Sequence, residues 1–169
     1  MLKLLKLKPK LKMTMTNNQE AKDQLYMKKA IKLAMMARDK DEVPIGCVVV
    51  KDGKVIGAGY NIRNSAKNTL GHGEIIAIDR ACRYLKDWRL EGCTIYVTLE
   101  PCPMCAGAIL QSRADRLVFG ASSPKGGSVG SLVNVLESDG YNHRVEIKSG
   151  VLEPECGQLL RDFFKKFRK

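Results

Sequence analysis

Apolar positions along the chain recur with two periods, and the switches between them mark the elements. From about Glu20 to Arg38, Tyr26, Ala30, Leu33, Ala34 and Ala37 return at helical spacing, with Lys28, Lys29 and Lys32 elsewhere on the surface. This predicts an amphipathic first helix. Cys47-Val48-Val49-Val50 and Val55-Ile56-Gly57-Ala58 flank Lys51-Asp52-Gly53-Lys54. Asp-Gly between β-branched runs predicts a hairpin, because both turn residues tolerate positive φ. Asn61 through Gly71 is polar and rich in turn residues, and reads as a loop. A helix then starts at His72, with Ile75, Ile78, Cys82 and Leu85 along one face. Thr94–Leu99 reads as a buried strand delivering Glu100-Pro101 to another helix start, whose Cys102, Cys105, Ala106 and Ile109 share a face.

Arg116–Gly120 and Val145–Lys148 read as further strands, separated by a segment that opens with the glycine-rich loop Ser122–Gly130. A closing helix opens near Glu153-Pro154, where proline suits the first turn. Cys156, Leu160, Phe163 and Phe167 are its expected inward face, and Arg161, Lys165, Lys166, Arg168 and Lys169 its basic one. Helices alternating with strands in this order predict one α/β domain with helices on both faces of a mixed sheet.

Composition narrows the picture. A chain of 169 residues, 44% apolar and 28% charged, suits one soluble domain with a sizeable core, and no apolar run reaches membrane-spanning length. Of the net charge of +11, five units come from the lysines of the first dozen residues. The excess elsewhere favours a polyanionic partner such as nucleic acid. Residues 1–13, MLKLLKLKPKLKM, lack the continuous apolar stretch of a signal and read as a disordered basic tail. Met13 or Met15 is the expected start of the protein proper. The tail is set at residues 1–19 and a single zinc-dependent domain at 20–169. Six cysteines without a secretory signal point to a reducing compartment, the cytoplasm, and to metal use. Cys47, Cys82, Cys93 and Cys156 sit in apolar or helical patterns and read as buried, inert thiols.

The candidate chemistry lies in His72-Gly73-Glu74 and, beginning 27 residues after that glutamate, Pro101-Cys102-Pro103-Met104-Cys105. His72, Cys102 and Cys105 make three ligands for one tetrahedral zinc ion, leaving a fourth position for water. Both motifs fall at predicted helix starts, where unpaired N–H groups and the positive dipole end favour thiolate. Glu74 is placed to move protons. The combination H-x-E with P-C-x-x-C is that of zinc-dependent nucleobase deaminases, in which an exocyclic amine is replaced by oxygen. A structural zinc site would be closed by a fourth protein ligand; the remaining histidine, His143, is remote and reads as a packed or hydrogen-bonded residue. A redox role for Cys102 and Cys105 leaves the neighbouring H-x-E unexplained.

From about Tyr26 to Lys169 the sequence resembles the bacterial tRNA-specific adenosine deaminases, the TadA family. The resemblance rests on Glu42-Val43-Pro44-Ile45-Gly46, Trp88-Arg89-Leu90, the run Val97 to Ile109, Ser112-Arg113, Asn142-His143, Gly150-Val151-Leu152 and Phe163-Phe164-Lys165. It implies a three-layer α/β/α cytidine deaminase-like fold with a central five-stranded mixed sheet, and a homodimer with no membrane partner. It also implies conversion of adenosine to inosine at the wobble position of the tRNA anticodon stem-loop. By position, Glu74 matches the catalytic acid/base, and Asn61, Ile45 and Gly73 match residues that meet the target base. Lys165, Lys166, Arg168 and Lys169 are candidate RNA-phosphate contacts. The chain departs from the family at Gly73, where alanine is usual, at Ser123, where many members carry an aspartate, and at Cys47, where alanine is common. A serine accepts a ribose 2′-OH more weakly than a carboxylate does. The alternatives are a deaminase of a free purine or cytosine base or nucleoside, and a non-catalytic zinc-stabilised RNA-binding subunit.

Overall fold

The computed structural model describes residues 9–168, with side chains from Asn17 onward. The elements run α1 (Pro9–Arg38), β1 (Gly46–Lys51), β2 (Lys54–Tyr60), α2 (Gly73–Leu85), β3 (Cys93–Leu99), α3 (Pro103–Gln111), β4 (Arg116–Ala121), β5 (Glu146–Lys148) and α4 (Glu153–Lys165). The strands form one sheet in the order β2-β1-β3-β4-β5. β1 is antiparallel to both β2 and β3, whereas β3, β4 and β5 run parallel. The sheet is therefore mixed and five-stranded, as the resemblance implies.

Alternation along the strands sends side chains into two cores. Cys47, Val49, Ile95, Val97, Leu117 and Phe119 face one core, with Ala77 and Ala81 of α2 and Ala106 and Ile109 of α3. Val48, Val50, Tyr96 and Val118 face the other, with Tyr26, Met27 and Ala30 of α1 and Cys156 of α4. Burial on both faces is why β1, β3 and β4 read as nearly continuous apolar runs. The result is three layers, with α2 and α3 on one side and α1 and α4 on the other. In the predicted hairpin, Asp52 and Gly53 take φ of 48° and 76° between β1 and β2.

Three expectations are corrected. Helix α1 starts at Pro9 rather than near Glu20, so the tail expected over residues 1–19 is helical from Pro9; residues 1–8 lie outside the described residues. Proline in a first turn costs nothing, and the leucine, lysine and methionine that follow are strong helix formers. In α2 the buried positions are Gly73, Glu74, Ala77 and Ala81, with the expected Ile75, Ile78, Cys82 and Leu85 only partly buried beside them. The reason is close approach: a Cβ at Gly59 of β2 would lie 2.4 Å from the carbonyl oxygen of Gly73. The helix backbone lies directly against the strand there. Phe167, expected inward, is 68% exposed, because α4 ends at Lys165 and the ring lies beyond the last packed turn.

Across the sheet, Asp23 of α1 accepts two bonds from Arg116 of β4, at 2.7 and 2.9 Å, and one from the Tyr96 hydroxyl at 2.9 Å. Asp23 is buried, and this pairing locks α1 onto the sheet. Burial raises the Asp23 pKa, but the bonds from Arg116, Gln19 and Tyr96 outweigh it and hold the carboxyl below its ordinary value.

Candidate active site and metal centre

His72 is the N-cap of α2 and Cys102 the N-cap of α3, both with extended backbone. Pro103 occupies the first turn of α3, where its missing N–H is harmless, and Cys105 follows within that turn. His72 Nδ1 lies 3.7 Å from Cys102 Sγ and 3.5 Å from Cys105 Sγ. Around a tetrahedral zinc with ordinary Zn–N and Zn–S bonds, the N···S edge is roughly 3.6 Å. The three side chains thus already stand at the separations one ion requires. Among the described residues no fourth His, Cys, Asp or Glu joins the group. His143 instead bonds the Ala114 carbonyl through Nε2 at 2.8 Å.

Glu74 is buried in the first turn of α2, and its Oε2 has no hydrogen-bond partner. An orphaned carboxylate oxygen inside a protein is costly unless something fills its place, and a metal-site water or a substrate proton fits it. Burial, the largest influence, raises the Glu74 pKa. In the protein alone, the hydrogen bond from Cys105 lowers the Cys102 thiol to about 4, with His72 adding to the effect, while the Cys105 thiol is raised. One negative charge is thus shared in the cluster; a bound cation would deprotonate both thiols. The donor set, its spacing and the orphaned oxygen all fit a metal ion.

Asn61 is buried at the end of β2. Its Oδ1 accepts the Gly73 N–H at 2.9 Å, and its own N–H donates to the Ile45 carbonyl at 3.1 Å. Asn61, Ile45 and Gly73 are therefore brought together at the start of α2, next to His72. Gly73 contributes its amide to Asn61, and a Cβ there would approach Tyr60 Cα at 3.1 Å, so the family's alanine would need a small shift of the hairpin. Cys47, Cys93 and Cys156 are buried, as expected, whereas Cys82 is only partly so; burial raises the pKa of all four thiols.

Two carboxylates outside the candidate site residues, Glu42 and Glu100, organise the loops around the site. Buried Glu42 accepts the Asn64 and Ser65 N–H groups at 3.2 and 2.6 Å and the Ser65 hydroxyl at 2.8 Å, bracing the loop between Asn61 and His72. Glu100 plays the same part for the loop after β4. Burial raises both pKa values and the accepted hydrogen bonds more than offset it, leaving both carboxyls lowered. The available signal was an acid placed against apolar runs, directly before Val43-Pro44 and directly before Pro101-Cys102.

On α4 the basic candidates divide. Lys165 pairs with Asp162 at 3.5 Å and Lys166 with Asp41 at 3.6 Å, while Arg168 is exposed. Lys169 lies outside the described residues. Arg168, Phe164, Phe167 and Lys125 line a cleft of about 480 Å³.

Residues 21–168 match the MafB19-like deaminase family. A curated Bacillus subtilis (strain 168) protein named tRNA-specific adenosine deaminase is 53% identical over 147 residues, covering 87% of this chain and 91% of its own length. The chain belongs to the tRNA-specific adenosine deaminase family. Within that family's fold, a solved structure from work on A-to-I editing by tRNA:A34 deaminases at the wobble position superposes with a TM-score of 0.77 at 42% identity. It covers 79% of this chain and 97% of that one. A guanine deaminase from Bacillus subtilis matches less fully, with a TM-score of 0.56 at 35% identity over 58% of this chain and 63% of its own.

Proposed function

We propose that this protein hydrolytically deaminates adenosine to inosine at the wobble position of a tRNA anticodon, with one zinc ion per chain held by His72, Cys102 and Cys105. The observation that carries the reading is the unpartnered, buried Oε2 of Glu74 beside three converged ligand candidates, with no fourth among the described residues. Zinc, when bound there, supplies the Lewis acidity that makes water a nucleophile at neutral pH. Glu74 takes a proton from the attacking water and delivers it to the ring nitrogen, then helps protonate the departing amine. The C6–N bond breaks, a C6–O bond forms in its place, and ammonia leaves. Asn61, with its oxygen held by Gly73, keeps its Nδ2 free to donate to the base, and Ile45 supplies an apolar wall. An anticodon base is already unpaired, which lowers the cost of drawing it into a pocket.

Lys165, Lys166, Arg168 and Lys169 are the proposed phosphate contacts, alongside the aromatic cleft lined by Phe164 and Phe167. The reading includes a homodimer acting in the cytoplasm, for which the exposed Leu132, Val133 and Tyr141 offer apolar surface. No described helix is long and apolar enough to cross a membrane.

The test is inosine formation on anticodon stem-loop RNA by zinc-loaded protein, with free guanine, cytosine and adenosine as competing substrates. Glu74→Gln is expected to keep its zinc and its RNA affinity and to lose about 10²–10⁴ in rate. Turnover of a free base or nucleoside in preference to the stem-loop would instead favour the alternative of a free purine or cytosine deaminase, and an unaffected Glu74→Gln variant the non-catalytic one.

A further inference from the structure

The loop that follows β4, with glycine at 126, 127 and 130, lies at the C-terminal ends of the parallel strands β3 and β4. That edge of an α/β sheet is where ligands bind. It is also the edge from which Cys102 projects. The loop is fastened there by an unusual concentration of bonds. Ser128 N–H donates to the Pro101 carbonyl at 2.8 Å. Glu100 Oε1 accepts the Val129 and Ser131 N–H groups at 3.1 and 2.9 Å. Its Oε2 accepts the Ser123 N–H at 2.9 Å and the Ser131 hydroxyl. Glu100 is 3% exposed, and all four donors come from this one loop. The fit is mutual: a Cβ at Gly127 would stand 2.3 Å from the carboxylate, so only glycine leaves the acid its place.

We propose that Glu100 is a positioning residue whose carboxylate holds the loop from Ser123 to Ser131 against the Cys102 turn, and so sets the wall that receives the RNA beside the target base. The substrate half of this inference rests on the function proposed above. Lys125 extends the wall, since it lines the cleft shared with Phe164, Phe167 and Arg168. A carboxylate suits the task where an amide does not. Glutamine offers one acceptor oxygen, and its NH₂ would face N–H donors, so either Ser123 or the Val129–Ser131 pair would lose its partner. The metal ligands themselves receive no bond from Glu100, so loosening the loop leaves them in place.

The experiment compares the full chain with Glu100→Gln, Glu100→Asp, Gly127→Ala and the Glu100→Gln/Gly127→Ala double variant. Metal content, amide exchange of the peptide spanning 122–131, and KM and kcat on anticodon stem-loop RNA are measured for each. In Glu100→Gln, loss of charge-assisted bonds is expected to speed exchange in that peptide about tenfold or more and to raise KM about tenfold, with kcat within about threefold and metal content unchanged. Glu100→Asp recovers part of KM. Gly127→Ala, which keeps the acid and merely displaces it, reproduces the effect more weakly, and carries the test should Glu100→Gln not fold. The double variant is no worse than its worse parent, because both changes break one device.

Parental exchange in the loop of Glu100→Gln, kcat falling with KM constant, or metal lost together with loop order would each overturn the assignment. Should the wild-type chain form no inosine, the function fails separately. The exchange measurement then still decides the tie, and stem-loop affinity stands in for KM.

Discussion

Asn61 and Gly73 are joined by a 2.9 Å hydrogen bond in which a buried side-chain oxygen accepts the first N–H of α2. The bond does two things at once. It caps a helix whose N-cap, His72, makes no side-chain cap of its own, and it takes up the asparagine's oxygen, leaving the amino group as the side chain's remaining donor.

The two roles separate by substitution. Asn61→Ala leaves a buried N–H without an acceptor and is expected to cost about 1–3 kcal/mol as well as activity. Asn61→Asp keeps an acceptor, and a helix N-terminus favours its charge, so stability stays near that of the parent. It has no donor for the base, and activity is lost. Thermal melts and inosine assays on both variants check this; an active Asn61→Asp protein would remove Asn61 from base recognition.

The Asp23–Arg116 pair predicts a pH signature. The folded-state pKa of Asp23 is depressed, so the unfolded chain binds more protons in the acid range. The pair's contribution is fully present above the unfolded value of ~3.9 and is lost as pH falls through the folded one. Breaking a buried pair from one side costs about 3–5 kcal/mol. Arg116 keeps Glu146 at 2.9 Å, which favours the low end for Asp23→Asn. At ~2–4 °C per kcal/mol, that is a fall of roughly 6–12 °C in Tm at pH 7. The gap between parent and variant should begin to narrow below about pH 4 and go on narrowing as the carboxyl protonates. A gap that stays constant throughout the acid range would mean packing, not charge, makes the contribution.

The basic residues of α4 should not be equivalent. Lys165 and Lys166 have acidic neighbours in Asp162 and Asp41, whereas Arg168 stands beside the open cleft. Binding of the Glu74→Gln protein to stem-loop RNA, titrated with salt, should lose about 0.7 of slope in Arg168→Ala, as one contact to an unpaired strand does. Lys165→Ala and Lys166→Ala should lose less, and Asp41→Asn should tighten binding at low salt. An unchanged slope in Arg168→Ala would return this residue to a merely solvated surface.

Much of the site was legible because its logic is local. His72 and Glu74 lie within three residues, and Cys102 and Cys105 within four, so helix-start spacing alone suggested which atoms could converge. The face of α2 was not legible. Periodicity favoured its large apolar residues, but β2 presents Gly57 and Gly59 to the helix, which brings the helix backbone up to the strand and buries Ala77 and Ala81 completely. Nor could periodicity place Phe167, since an apolar residue one turn past a helix end carries the same pattern whether or not anything covers it.

The residue types at the two helix starts by themselves marked the candidate ligand set and the neighbouring acid, because coordination chemistry and helix geometry act over a few positions. Tertiary structure alone decided what Glu42 and Glu100 do. Each acid bonds a loop more than twenty residues away in sequence, and no local spacing records which backbone N–H groups the folded sheet will bring to a buried carboxylate.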